Sequence, residues 1–157
     1  MPRRGYKRQI PKKDVIYDNY EVTKLINYTM RDGKKSVAQK MVYSAFEMIK
    51  KDSLDPVEVL QTAIHNVAPA QEVRPRRVGG ASYLVPVETR LERRLFLALH
   101  WIVEGANSRS NKQYKSFDKK LHAELMDAYQ GQGEAINKKA QVEKLAQANK
   151  AFAHFNW

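Results

Sequence analysis

Apolar positions recur along this chain in two rhythms, and the change between them outlines the fold. Val22, Leu25, Ile26, Thr29 and Met30 share one face of a helix that Arg31-Asp32-Gly33 closes. Asp32 is placed to cap a second helix, with Val37, Met41, Ala45, Phe46 and Ile49 as its apolar stripe. Asp55-Pro56-Val57-Glu58 is a strong helix start: a capping Asp, then Pro at the first helical position and Glu behind it. That third helix runs through Leu60, Ala63, Ile64 and Val67 and stops before Pro69. Leu91, Leu95, Ala98, Leu99, Ile102 and Val103 give the most apolar helix, the fourth, expected at the centre of the core. A loop is expected from Gly105 to Lys112. Ser116 then caps a fifth helix with Phe117, Leu121, Leu125 and Ala128 inward, ended by Gly131 and Gly133. A sixth, more polar helix covers about residues 138–148.

Between the third and fourth helices the period shortens to two. Arg74-Pro75-Arg76-Arg77-Val78 meets Gly79-Gly80 and returns as Ala81-Ser82-Tyr83-Leu84-Val85, the pattern of a hairpin with a two-residue turn over roughly residues 72–87. Counting back from the glycines, Val78 faces Ala81, Arg76 faces Tyr83 and Arg74 faces Val85. Arg74, Arg76 and Tyr83 then share one face, and Arg77 points to the other. Arginines on both faces argue against burial, because an unpaired buried guanidinium costs several kcal/mol. Pro75 and Pro86 each remove a ladder donor, so the hairpin does not extend into a larger sheet. The expected fold is therefore all-α: a single domain spanning 1–157, a bundle of about six helices with one protruding two-stranded β-hairpin between helices three and four.

Charge turns this outline toward a function. The 157 residues carry a formal net charge of +11 and no cysteine, which excludes disulfides and thiol chemistry and points to a polyanionic partner. Residues 1–13 hold Arg3, Arg4, Lys7, Arg8, Lys12 and Lys13 without an acid, and read as a flexible arm that orders on its partner. Further basic clusters are Arg31/Lys34/Lys35, the hairpin, Arg90/Arg93/Arg94, and Arg109/Lys112/Lys115 with Lys119/Lys120. Tyr6, Tyr83 and Tyr114 are interleaved with them, as base-stacking surfaces would be, though Tyr114 serves equally as a packing residue. Trp101 lies off the fourth stripe and reads as a partly buried core residue before a surface one. His65, His100, His122 and His154 are scattered, no phosphate loop of the Gly-Lys-Ser/Thr type occurs, and no carboxylates pair, so no enzyme, metal or cofactor is expected. No apolar run is long enough to span a bilayer, and no membrane partner is expected. The tail, residues 149–157, is rich in aromatics. Arginines spread over an arm, loops and a wing suit a folded RNA better than a DNA groove. Two other classes fit parts of the pattern: a non-specific DNA-compacting protein, and a protein-interaction module working through the aromatic tail.

Six segments go further. Asp32-Gly33-Lys34-Lys35-Ser36, Arg76-Arg77-Val78-Gly79-Gly80, Val85-Pro86-Val87-Glu88, Arg93-Arg94, Trp101-Ile102-Val103-Glu104 and Ala148-Asn149-Lys150-Ala151-Phe152-Ala153-His154 stand in order along the chain. In these, and over essentially its whole length, the chain resembles the bacterial-type small-subunit ribosomal proteins of the S-seven family. The resemblance implies a six-helix bundle with a protruding hairpin. It implies a primary rRNA binder that attaches to a junction in the 3′ major domain and nucleates the head, in the cytoplasm. The matching rRNA-binding positions are Arg3, Arg4, Lys7, Lys34, Lys35, Arg74, Arg76, Arg77, Arg93 and Arg94, to which the basic loop adds Arg109 and Lys112. Val78, Gly79, Gly80, Ala81, Ser82 and Tyr83 match the part near the exit-site tRNA and the mRNA exit path. Phe152, Phe155 and Trp157 fall in a region implied to face the eleventh small-subunit protein, with the ninth as the other neighbour. Some members of the family also repress translation of their own mRNA.

Overall fold

The computed structural model describes residues 11–155. Three helices, α1 (Tyr20–Thr29), α2 (Lys35–Lys51) and α3 (Pro56–Val67), precede a hairpin of β1 (Gln71–Val78) and β2 (Ala81–Glu88). Then come α4 (Leu91–Ser108), α5 (Phe117–Tyr129), α6 (Glu134–Ala148) and a 3-10 turn over Lys150–Phe155. The fold is the expected one: mostly helical, with a two-stranded sheet between α3 and α4.

Local chemistry explains most of the boundaries. The Asn19 side chain accepts hydrogen bonds from the Glu21 and Val22 amides and starts α1. Asp55 Oδ1 accepts from the Val57 amide at 3.1 Å, with Pro56 opening α3. Asp32 does not cap α2. It adopts a left-handed φ of 51°, and the residue before α2 is Lys34, which makes no side-chain cap bond. Ser116 does stand before α5, but its side chain makes no bond to the helix backbone.

The core is built from Leu25 and Ile26 of α1, Phe46 and Ile49 of α2, Leu60 of α3, Leu99 and Ile102 of α4, and Leu121 and Leu125 of α5. Each such buried side chain contributes about 1.5–3 kcal/mol. Trp101 is buried with them. Three expectations require correction. On α2 the inward residues are Ala38, Val42, Ala45, Phe46 and Ile49, whereas Val37 and Met41 are 45% and 37% exposed. Leu91 is 81% exposed, because it lies in the first turn of α4, before that helix enters the bundle. Finally, α4 continues through Gly105 and Ala106 to Ser108, and α6 begins at Glu134.

Both helix extensions share one cause, the side chain of Glu124. A Cβ on Gly105 would stand 2.6 Å from Glu124 Oε1, so glycine here is room for a neighbour and no helix breaker. The same Oε1 accepts the Ala135 amide at 3.1 Å and caps the start of α6 from another helix.

The hairpin register matches the expected one, with Val78 opposite Ala81, Arg76 opposite Tyr83 and Arg74 opposite Val85. Gly79 and Gly80 have φ of 58° and 89°, the left-handed geometry that a two-residue hairpin turn requires. Arginines on both faces do not keep the whole ribbon in solvent. Glu72 and Val85 at its base are buried, while Arg76, Arg77 and residues 79–82 at its tip are exposed. The base is packed by α6 and by the 3-10 turn, which answers the marginal stability of an isolated hairpin.

Candidate nucleic-acid interface

The structure divides the expected cations into free and engaged groups. Arg31, Lys34 and Lys35 surround the α1–α2 turn and are all exposed. The left-handed backbone at Asp32 and Gly33, closed by Lys34 N–H donating to the Arg31 carbonyl at 2.9 Å, shapes this turn. Arg76 and Arg77 are exposed on opposite faces of the wing, and Lys112 is exposed after α4. Among the described residues no carboxylate lies within ion-pair distance of these six side chains.

At the hairpin base the arginines have a carboxylate between them. Glu72 Oε1 accepts from Arg74 Nη2 at 2.7 Å and Nε at 3.0 Å, and Glu72 Oε2 accepts from Arg93 Nε at 3.1 Å. Burial would raise the pKa of Glu72, but the hydrogen bonds from Arg74 and Arg93 outweigh it and hold the carboxyl below its usual range. Arg74 and Arg93 remain about half exposed, so each keeps donors for a further partner. Arg93 also lies over the Phe96 ring at 5.1 Å. Arg94 is half-buried and reaches the Ala70 carbonyl only at 3.5 Å.

Arg109 must be withdrawn from the exposed set. Its Nε and Nη2 donate to Glu124 Oε2 at 2.8 and 2.7 Å, Nη2 also donates to Asp127, and Nη1 donates to the Tyr114 hydroxyl at 3.2 Å. Burial alone would ease loss of its proton, but the bonds to Asp127 and Glu124 outweigh it and raise the pKa above its ordinary value. This guanidinium joins α4 to α5. Tyr114 lies under it, ring centroid 5.4 Å away, and is a packing residue. Lys120 is likewise buried, with Nζ donating to Asn111 Oδ1 at 2.6 Å.

The aromatic tail also turns inward. Phe152 and Phe155 each lie 5.2 Å from the Tyr83 ring, so the half-buried Tyr83 and the tail engage one another within the chain. Tyr83 thus differs from the exposed Gly79, Gly80, Ala81 and Ser82 and the half-buried Val78 of the tip. Arg3, Arg4 and Lys7 of the arm, and Trp157 of the tail, lie outside the described residues.

Sequence reasoning missed Glu72 and Glu124, the two buried carboxylates that decide which arginines are free. Arg93 and Arg109 stand 21 and 15 residues from them, beyond any local pattern, and the one local signal is Arg74, two residues after Glu72 on the same strand face. Among the described residues no group of three or more His, Asp or Glu side chains is placed to hold a metal ion, and no helix is long and apolar enough to cross a membrane.

A helical bundle presenting free cations on a turn and a wing belongs to the class of structural polyanion binders. Comparison with known proteins gives the family. Residues 2–150 match the family described as Ribosomal protein S7p/S5e. Proteins named small ribosomal subunit protein uS7 are similar over the full length of both chains. The one from Carboxydothermus hydrogenoformans is 54% identical, that from Thermoanaerobacter pseudethanolicus 52%, and that from Thermodesulfovibrio yellowstonii 49%. The chain belongs to this family of small-subunit ribosomal proteins, which are structural components of the subunit and its rRNA complex and not enzymes.

Proposed function

We propose that this chain is a primary rRNA binder that nucleates assembly of the head, the 3′ major domain of the small subunit. One observation carries this reading. Arg31, Lys34, Lys35, Arg76, Arg77 and Lys112 project from turns, a helix start and the wing, with no acid within ion-pair distance among the described residues. Such fixed cations at several angles favour an RNA junction with several backbones, and bind its folded form through differential affinity. Arg74 and Arg93, placed by Glu72, add donors at the wing's base. The tip, Val78 to Ser82, exposed from Gly79 on, is the part suited to lie beside the exit-site tRNA and the mRNA path. The ninth and eleventh small-subunit proteins are the neighbours that the family resemblance supplies.

The test is binding of the full chain to a transcribed rRNA head fragment, titrated with salt and competed with duplex DNA. Neutralising about six to ten phosphates makes affinity fall by orders of magnitude between low and moderate salt. Tight, competitor-resistant binding with a steep salt slope supports the reading. Weak binding that duplex DNA displaces equally well would reduce the charge to a generic polyanion surface.

A further inference from the structure

A groove beside the α1–α2 turn joins two of the cations just described, Arg31 and Lys34, to an apolar floor. Its volume is about 570 Å³, within the ~300–1,000 Å³ typical of small-molecule sites. Residues from the end of α1, the first turns of α2, the middle of α4 and the start of α5 line it. Val37, Met41, Val103 and Phe117 make its apolar surface. The exposure of Val37 and Met41, large apolar side chains on a helix that otherwise packs well, is therefore concentrated at one concave place.

Three further features narrow what would fill it. Tyr28 and His100 line the groove, with Phe96 between them: His100 is parallel to Phe96 within 7° and Tyr28 is edge-on, each at 5.6 Å. Arg31 and Lys34, both exposed and free of carboxylates, line the same groove. The one acid in the lining, Glu104, is engaged by Lys138 Nζ at 2.6 Å. An apolar peptide side chain would use the floor and leave the cations idle. A nucleotide uses both, because it has a flat ring to bury and an anionic phosphate.

We propose that this groove receives one unstacked nucleotide of the rRNA, its base against Val37, Met41 and Phe117 and its phosphate against Arg31 and Lys34. The proposal rests on the rRNA-binding reading and deepens it. Paired bases are unavailable to such a groove, whereas a junction or loop that already splays a base presents one without unstacking cost. The groove would thus reward a particular folded RNA, which phosphate contacts alone do not do.

Two substitutions in the full chain separate base from phosphate. Met41→Trp fills the groove and leaves every charge in place. Arg31→Ala with Lys34→Ala removes the cations and leaves the floor. Met41→Trp is expected to weaken binding to the transcribed head fragment about tenfold at an unchanged salt slope, with its thermal unfolding unaltered. The double alanine variant is expected to lower the slope. Val37→Trp serves as a second filling variant should Met41→Trp unfold. A benzophenone side chain at position 107, on the exposed rim of the groove, is expected to give photo-adducts confined to one or two unpaired nucleotides. Tight wild-type binding that both filling variants leave intact removes the groove alone. Adducts spread along the RNA, or formed with a neighbouring protein in the assembled subunit, also overturn it. Weak wild-type binding that duplex DNA displaces takes down the rRNA reading and the groove together.

Discussion

Arg109 and the pair Arg76/Arg77 look alike in the sequence, each in a basic stretch outside the apolar helical stripes, yet the structure employs them for opposite ends. Arg109 is 16% exposed at its side chain and shared between Glu124 and Asp127, so its charge is spent on joining α4 to α5. Arg76 and Arg77 are exposed in the outer half of β1, with no carboxylate within ion-pair distance among the described residues. The lesson is that a cation's availability is decided by the carboxylates the fold brings to it. Where a buried acid meets an arginine, the pair holds the fold together. Where none does, the arginine remains for a partner.

Substitutions can break this contrast at either end. The largest effect is expected from Glu124→Ala, which leaves Arg109 with Asp127 as its carboxylate partner and removes the cap from the Ala135 amide. A loss of about 2–3 kcal/mol in denaturant unfolding is expected, the usual cost of removing a charged hydrogen-bond partner from a buried site. Gly105→Ala attacks the same place by steric means, since its Cβ must displace a hydrogen-bonded Glu124 carboxylate. It should cost about 1–3 kcal/mol, and combined with Glu124→Ala it should add little, because the displaced group is already gone.

The hairpin base gives a subtler test. The Glu72 carboxyl is held below its usual range in the folded protein, so its contribution to stability is present above the unfolded carboxylate pKa and is lost as pH falls through the depressed folded value. Amide exchange in β1 and β2 should therefore accelerate in acid, below the ordinary carboxylate range. Glu72→Gln should remove that acid dependence; persistence of it would place the titrating group elsewhere. The smallest effect on folding is expected at the free end. Arg76→Ala with Arg77→Ala should change unfolding stability by less than about 0.5 kcal/mol, while weakening binding to the rRNA head fragment and lowering its salt slope by about one to two units. A large fall in stability would show that these arginines, too, are structural.

Much of the architecture was legible because its signals are local. Asp55-Pro56 announces α3 through one cap bond, and Gly79-Gly80 sets the register of the whole wing because side chains alternate strictly outward from the turn. Errors arose where the deciding partner is distant in sequence. Gly105 reads as a breaker until Glu124 is seen beside it, and α6 starts four residues early because its cap comes from α5. On α2, apolar residues occupy two adjacent stripes, and the one with Ala38 and Val42 faces the bundle while Val37 and Met41 line a groove. The interface was legible as a set of cations. Which of them are engaged was legible at most for Arg74, two residues from Glu72, because Glu72 reaches Arg93 and Glu124 reaches Arg109 across 21 and 15 residues.

The contact between Tyr83 and the two tail phenylalanines has a mechanical consequence. A strand of eight residues, such as β1, is a beam about 26 Å long, and a beam held only at its root bends most at its end. Phe152 and Phe155 grip β2 at its third residue, so the free overhang shrinks to about 7–10 Å. The 3-10 turn Lys150–Phe155 thereby acts as a brace for the wing, and a pull on that turn would be felt as a swing of the tip.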